Sequence, residues 1–159
     1  MMLRSTRIDL SAENRTALTA LLNQELVLMT DLYLQTKLSH WNVQGPHFIA
    51  YHQLFDEIAS HVLEAVDMIA ERATTLGAAV DTCAQTISNT TTLAPWTASD
   101  RRDQVIIHRL ADVIGDVANS MRRAIDEAAA LGDADTADLF TEVSRQLDKD
   151  LWFVESHVN

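Results

Sequence analysis

The chain has 159 residues, 47% of them hydrophobic, and a formal net charge of −11 at neutral pH. This length supports one well-buried core without requiring a second, so residues 1–159 are predicted to form a single domain with a short N-terminal tail at 1–10. The negative charge works against bulk attraction to nucleic acid. It fits a surface that handles cations, and equally the ordinary need for solubility.

The composition favours helices over sheets. Only four Gly and two Pro interrupt the chain, while strong helix formers are plentiful. The single cysteine, Cys83, cannot form an internal disulfide, which fits a reducing compartment. Residues 1–7 lead into no apolar targeting segment, and no uncharged stretch is long enough to span a bilayer. We therefore expect an all-α, soluble, cytoplasmic protein without a membrane partner.

The first two predicted helices are separated by a clear break. Ser11 is a suitable N-cap, and apolar residues at helical spacing predict helix one from about residue 12 to about residue 40. Gly45 and Pro46 then favour a turn. A second helix follows and is expected to stop at Gly77, since glycine is the common residue just beyond a helix end.

A Thr- and Ser-rich crossover follows the second helix. It runs from Ala78 to Pro95 and has room for one helical turn at 84–87. Thr97 with Asp100 three residues later resembles a capping box, which predicts that the third helix begins there.

The last two helices complete the predicted bundle. The third is expected to end at Leu131 and Gly132, and the fourth begins near Asp133 and continues to Val154. Two long helices, one long connection and two more helices describe a ferritin-like four-helix bundle with a long crossover.

Two pairs of potential metal ligands lie on the second helix. His52 and Asp56 are four residues apart, as are Asp67 and Glu71, so each pair shares one helix face. His52 and Asp67 differ by only about 60° around the helix but by roughly 22 Å along it. If both pairs bind one metal cluster, the second pair must come from another copy of the chain, antiparallel across a two-fold axis near His61.

The side chains of these pairs limit the metals they suit. Imidazole and carboxylate together suit iron, zinc or manganese, and open coordination positions suit redox-active iron. Such pairs also arise by chance on helices whose histidines are merely packed or exposed. No Glu-x-x-His sequence occurs, which disfavours a di-iron centre contained within one subunit.

Three stretches carry a resemblance to a known family. They are Lys37-Leu38-Ser39-His40-Trp41-Asn42-Val43-Gln44-Gly45, the pair of His52 and Asp56, and Asp67-Met68-Ile69-Ala70-Glu71-Arg72. The chain thus resembles the Dps family, the starvation-induced mini-ferritins, whose pattern of K-x-x-H-W-N-x-x-G, a His and Asp four apart, and D-x-x-A-E-R is met at each position. The similarity continues through 135–138 and 147–156, so it covers nearly the whole chain.

The resemblance implies a function and a set of ligands. It implies a hollow homo-dodecamer that oxidises ferrous iron with hydrogen peroxide in preference to oxygen and stores ferric mineral inside, protecting DNA. The ferroxidase ligands then fall on His40, His52 and Asp56 of one subunit and on Asp67 and Glu71 of its two-fold partner. This division agrees with the separation of the two pairs along the helix.

Two residues near these ligands have open interpretations. Trp41 either accepts an electron or quenches a radical beside the site, and is then part of the catalytic machinery, or it packs as an aromatic wall at the interface. Lys37, one turn before His40, either pairs with a carboxylate near the site or is solvated. The remaining histidines are not expected to be ligands: His47, His61, His108 and His157.

Acidic residues cluster around the turn between the third and fourth helices. Similar mini-ferritins place acidic pores at a three-fold axis there, which makes these residues candidates for a pore through which iron enters; acidic helix starts explain them equally well. The candidates are Asp126, Glu127, Asp133, Asp135 and Asp138.

DNA binding is where the chain departs from the family. Members that bind DNA often use a Lys-rich tail, but only Arg4 and Arg7 precede the first helix. Twelve copies at −11 sum to roughly −130, a poor surface for a polyanion. We expect an iron-oxidising mini-ferritin; the rivals are a DNA-compacting nucleoid protein without enzymatic activity and a plain helical adaptor.

Overall fold

The computed structural model describes residues 3–158, which form four long helices and one short one. The helices are α1 (Ala12–Asn42), α2 (Phe48–Thr75), α3 (Ala84–Thr90), α4 (Asp103–Ala130) and α5 (Ala134–Glu155). Within this part of the chain the only β feature is an isolated parallel bridge between Gln44 and Arg102. The all-α bundle with a crossover between α2 and α4 is confirmed, and the helical turn expected in the crossover is the seven-residue α3.

The core forms where the apolar faces of the long helices meet. α1 packs along α2, α4 packs along α5, and α1 also contacts α4. Large side chains from each helix are fully buried at the centre, among them Leu22, Phe55, Ile114 and Phe140. Because each of these helices covers the apolar face of another, the bundle has one continuous core. None of the helices within residues 3–158 has the length and hydropathy that a bilayer span requires.

The start of α1 and the end of α2 follow the local sequence signals. The Ser11 side chain accepts a hydrogen bond from the Asn14 amide at 3.0 Å, as an N-cap does. After α2, Gly77 has a φ of +100°, and a Cβ there would lie 2.5 Å from the Arg4 carbonyl oxygen. The Arg4 amide donates to the Gly77 carbonyl at 2.8 Å. Glycine is therefore required both for the backbone angle and for this close approach.

The predicted capping box before α4 is wrong. The Thr97 hydroxyl contacts Ser99, and the Asp100 carboxylate binds the backbone and guanidinium of Arg102. The helix begins only at Asp103, whose amide donates to the Gln44 carbonyl at 2.8 Å. The start of α4 is thus set by its contact with the turn between α1 and α2.

Candidate metal centre

His40 and His52 face each other where α1 ends and α2 begins. The His40 Nδ1 lies 2.7 Å from the His52 carbonyl oxygen, and the His52 Nδ1 lies 2.9 Å from the His40 carbonyl oxygen. The two rings stack with centroids 3.7 Å apart and an interplanar angle of 19°. Each imidazole therefore donates its Nδ1–H to the backbone of the other residue.

This pairing prepares both rings to bind a metal. A neutral imidazole that donates from Nδ1 carries its free lone pair on Nε2. Metal-binding histidines generally have their second ring nitrogen held in this way, which fixes the tautomer and the ring orientation. His40 and His52 thus have the outer hydrogen bonds that a pair of Nε2 ligands would need.

Asp56 and Lys37 complete the group on this side of the chain. Asp56 lies one turn after His52, and its Oδ1 is 4.0 Å from the His40 Nε2 and 2.5 Å from the Lys37 Nζ. The hydrogen bond from Lys37 holds the pKa of Asp56 below its ordinary value. Lys37 therefore pairs with a carboxylate, which is the first of its two interpretations.

Trp41 lies next to this group and is largely exposed. Its side chain is 65% accessible in the single chain. The Lys37 Nζ is 5.7 Å from the centre of the Trp41 ring, within cation–π distance. The indole is thus near the ligands but outside the hydrogen-bonded group.

Asp67 and Glu71 lie farther along α2 and are exposed. Because α2 is one uninterrupted helix, Asp67 remains roughly 22 Å and Glu71 roughly 28 Å from His52 along its axis. Within residues 3–158, no three or more His, Cys, Asp or Glu side chains are placed so that they could hold a metal ion together. His40, His52 and Asp56 are brought together, whereas Asp67 and Glu71 are not brought to them within one chain.

The other histidines make contacts elsewhere. His47 lies 3.0 Å from the Asp103 carboxylate, and His157 meets the Tyr51 ring edge-on. His61 is halfway between the two ligand pairs along α2, but it faces α5, where its Nδ1 is 3.0 Å from Asp150. It is about 180° around the helix from His52. His108 is exposed on α4.

Asp133 differs from the other acidic residues of the α4–α5 turn. It is 5% exposed, and both of its oxygens lie 2.8 Å from the same Arg72 nitrogen. Burial works to raise the pKa of this carboxyl, but the hydrogen bonds from Thr136 and Arg72 outweigh burial and leave the pKa below its ordinary value. A carboxylate engaged in this way is not free to contact a passing ion. The other four candidates are exposed: Asp126, Glu127, Asp135 and Asp138.

Asp103 supports the histidine pair and has no sequence signal of its own. Its carboxylate accepts hydrogen bonds from the His47 and Gln104 amides, and the first of these is the main reason that its pKa lies below its ordinary value. A Cβ at Gly45 would lie 2.5 Å from the Asp103 Cγ. Asp103 thus fixes the turn that joins His40 to His52.

Comparisons with known proteins agree on one relationship. A ferritin-like domain model matches residues 19–159. The chain is 39% identical to a DNA protection during starvation protein of Agrobacterium fabrum, over 99% of this chain and 98% of the relative. Its structure is similar to that of Mycobacterium smegmatis Dps, with a TM-score of 0.90, 29% identity, and coverage of 99% of this chain and 94% of that one. It is also similar to Dps from Microbacterium arborescens in the high iron form, with a TM-score of 0.87, 30% identity, and coverage of 93% and 96%.

Proposed function

The chain belongs to the ferritin-like Dps family, and on that premise we propose that it oxidises ferrous iron at sites shared between two subunits and stores the ferric product in a hollow shell. The observation that carries the proposal is the histidine pair. His40 and His52 each have Nδ1 held by a backbone carbonyl, with Asp56 beside them. These three residues form one half of the proposed metal centre.

Asp67 and Glu71 supply the other half of the proposed centre. They are too far along α2 to reach His52 of their own chain. An antiparallel partner across a two-fold axis brings the Asp67 and Glu71 of each chain to the histidines of the other, so a dimer contains two equal sites. Two imidazoles and three carboxylates suit ferrous iron as the substrate and stabilise its ferric product.

The proposed oxidant is hydrogen peroxide. Two ferrous ions side by side each give one electron, and peroxide with two protons is reduced to two waters, so no hydroxyl radical is released. Lys37 holds the Asp56 carboxylate in place beside His40 before iron binds. When only one ferrous ion is bound, we propose that Trp41, exposed beside the ligands, donates the second electron that peroxide needs and is itself oxidised by one electron.

Iron reaches the interior, in this proposal, through pores lined by the exposed carboxylates of the α4–α5 turn. Asp126, Glu127, Asp135 and Asp138 remain candidates because their side chains are exposed, while Asp133 serves as a structural group. The proposed assembly is a dodecamer, in keeping with the family. Protection of DNA then follows from the removal of ferrous iron and peroxide and does not require DNA as a bound partner.

A mixing experiment tests the shared site. Chains carrying His52→Ala and chains carrying Asp67→Ala are co-assembled, and ferrous oxidation by peroxide is followed by stopped flow. If the chains pair at random, half of the dimers contain one chain of each kind, and each of these mixed dimers has one intact site out of two. About a quarter of the wild-type rate is therefore expected for the mixture, and almost none for shells of either mutant alone.

The matched control mixes His52→Ala with Asp56→Ala chains. Both residues belong to the same half of the site, so every site in this mixture stays damaged and no rescue is expected. Equal rates in the two mixtures, in shells shown by mass spectrometry to hold both chains, would exclude the shared site. A wild-type shell that does not oxidise ferrous iron would exclude the proposed function and favour a DNA-compacting protein without enzymatic activity.

A further inference from the structure

Arg72 ties the carboxyl-terminal end of α2 to the first turn of α5. One of its terminal nitrogens lies 2.8 Å from each oxygen of Asp133, and its Nε donates to the Thr136 hydroxyl at 2.9 Å. The Thr136 hydroxyl also donates to Asp133. Asp133 and Thr136 are buried, and the Arg72 side chain is 16% exposed. The guanidinium therefore holds a fixed position with its charge neutralised.

The Arg72 tie lies on a different side of α2 from the proposed ligands. At 100° per residue, Asp67 is about 140° and Glu71 about 100° around the helix from Arg72. A tie that draws one side of a helix toward α5 also sets how far the other sides project outward. Arg72 thus acts on the same two turns of α2 that present Asp67 and Glu71.

Apolar packing between α2 and α5 is interrupted beside this tie. A cleft of ≈ 390 Å³ lies between the helices and is lined by residues that include His61, Met68, Glu142 and Gln146. At the end of the cleft away from Arg72, His61 pairs with the buried carboxylate of Asp150. Hydrogen bonds at both ends of the cleft, together with core packing, therefore hold this part of α2 against α5.

Asp133 also controls which carboxylate Arg72 can bind. Asp135 is 3.9 Å from the Arg72 guanidinium, and Glu71 directly precedes Arg72 in the sequence. With Asp133 in place, the planar guanidinium has a preferred partner on α5. Loss of Asp133 leaves the exposed Asp135 as the carboxylate nearest to the guanidinium, and this weaker pairing would hold the end of α2 less firmly.

We propose that Arg72 is a positioning residue for the shared metal site: its hydrogen bonds to Asp133 and Thr136 hold Asp67 and Glu71 in the place from which they reach the partner subunit. This rests on the proposed function, because Asp67 and Glu71 are taken as ligands. Arg72 itself contacts neither iron nor oxidant in this proposal.

Cobalt(II) binding to assembled shells tests the role of Arg72. The shared site is defined by the visible absorption that wild type shows and His52→Asn lacks. Arg72→Gln, the conservative Arg72→Lys and Asp133→Asn are compared with Arg122→Gln. Arg122 is the matched control, since it forms an ion pair with Asp148 between α4 and α5 and, among the described residues, makes no hydrogen bond or ion pair with α2. Circular dichroism and particle mass identify the variants that assemble.

The expected result is about tenfold weaker cobalt binding in the Arg72 and Asp133 variants, the lower end of the usual cost of changing a supporting residue. Arg122→Gln should bind as wild type does. In ferrous oxidation, the Arg72 variants should show a raised KM with a smaller change in kcat, and Arg72→Lys should fall between wild type and Arg72→Gln.

Several outcomes would overturn the proposal in distinguishable ways. Unchanged cobalt affinity in assembled Arg72→Gln shells, with lowered thermal stability, would make Arg72 a folding residue only. Failure of all three variants to assemble would lead to the same conclusion. If wild type and His52→Asn show the same absorption, the proposed function itself fails, and the role of Arg72 fails with it.

Discussion

His40 and His52 each donate Nδ1–H to the other's backbone carbonyl, at 2.7 and 2.9 Å. The orientation of both rings is therefore set by the register of α1 against α2. A shift of one helix along the other breaks both hydrogen bonds together. The proposed affinity for metal thus depends on helix packing as well as on the two imidazoles.

Replacement of His52 by Asn should distinguish the role of its Nδ1, a hydrogen-bond donor, from that of its Nε2, the proposed metal-binding atom. The Asn amide can still donate to the His40 carbonyl, but it has no nitrogen at the position of Nε2. We expect a folded shell that has lost fast ferrous oxidation by about a hundredfold or more. Stopped-flow absorbance and particle mass are the measurements, and a rate close to that of wild type would rule out His52 as a ligand.

Glu71 and Glu64 provide a matched pair on one helix. Both side chains are exposed on α2, but only Glu71 falls on a proposed ligand position. Glu71→Gln should slow ferrous oxidation by about ten- to a hundredfold, while Glu64→Gln should leave the rate within about twofold of wild type. Equal effects of the two changes would mean that surface charge, and not ligation, controls the rate.

Substitution of three glycines by alanine should distinguish the cost of a steric clash from the cost of an unfavourable backbone angle. Gly77→Ala combines a φ of +100° with a contact of 2.5 Å to the Arg4 carbonyl, so a loss of about 1–3 kcal/mol in unfolding free energy is expected. Gly132→Ala has a φ of +77° but nothing within 4 Å and should cost less. Gly115→Ala, inside α4 with nothing within 4 Å, should stabilise by about 0.5–1 kcal/mol. Chemical denaturation would measure all three, and a neutral Gly77→Ala would contradict the close approach.

Glu25 should make stability depend on pH. It is 1% exposed, its Oε1 accepts from Ser120, and burial raises its pKa. The folded state then binds this proton more tightly than the unfolded state, so its contribution to stability falls as pH rises from the unfolded pKa through the raised folded pKa.

Glu25→Gln should therefore be more stable than wild type at neutral pH, with a difference that shrinks as the solution is acidified. Thermal unfolding across this range is the measurement, with the exposed Glu142→Gln as the control. A difference that grows on acidification would show that the carboxylate, and not the acid, is the favoured form in the fold.

DNA retention should be weak at physiological salt. Of the two cations that precede α1, Arg4 is held against the body, where its guanidinium donates to the Thr74 carbonyl at 3.1 Å. Few cations are then left to release counterions from DNA. Gel shifts at low and moderate salt would check this, with a lysine-extended N-terminus as a positive control. Tight retention at moderate salt would show that many weak contacts on one shell add up.

The sequence was sufficient for features that depend on neighbouring residues. Ser11, Gly45, Pro46 and Gly77 set helix ends through their own backbone preferences, and these ends were predicted closely. The bundle class followed from the lengths of the helical segments and of the crossover. The helix ends depend mainly on interactions within one helix or turn, although Gly77 and Gly45 are also required by close approaches to Arg4 and Asp103.

Features that depend on distant contacts were not predicted. The start of α4 is displaced from Thr97 to Asp103 because the Asp103 amide pairs with Gln44. Asp133 looked like a surface acid, but Arg72, 61 positions earlier, buries and binds it. His61 falls between the proposed ligand pairs along α2, but the direction in which it faces, toward Asp150, required the packing of α5.

The proposed metal centre also has an order of formation. His40 and His52 are 12 positions apart, so the hairpin of α1 and α2 brings them together by closing a short loop. The tie between Arg72 and Asp133 closes a segment of 61 positions and needs α5, which a ribosome makes last. During synthesis we therefore expect the histidine half to come together first, and the carboxylate half to be held in place only when the last helix has joined the bundle. A chain that is still being made is then expected to lack the proposed shared site.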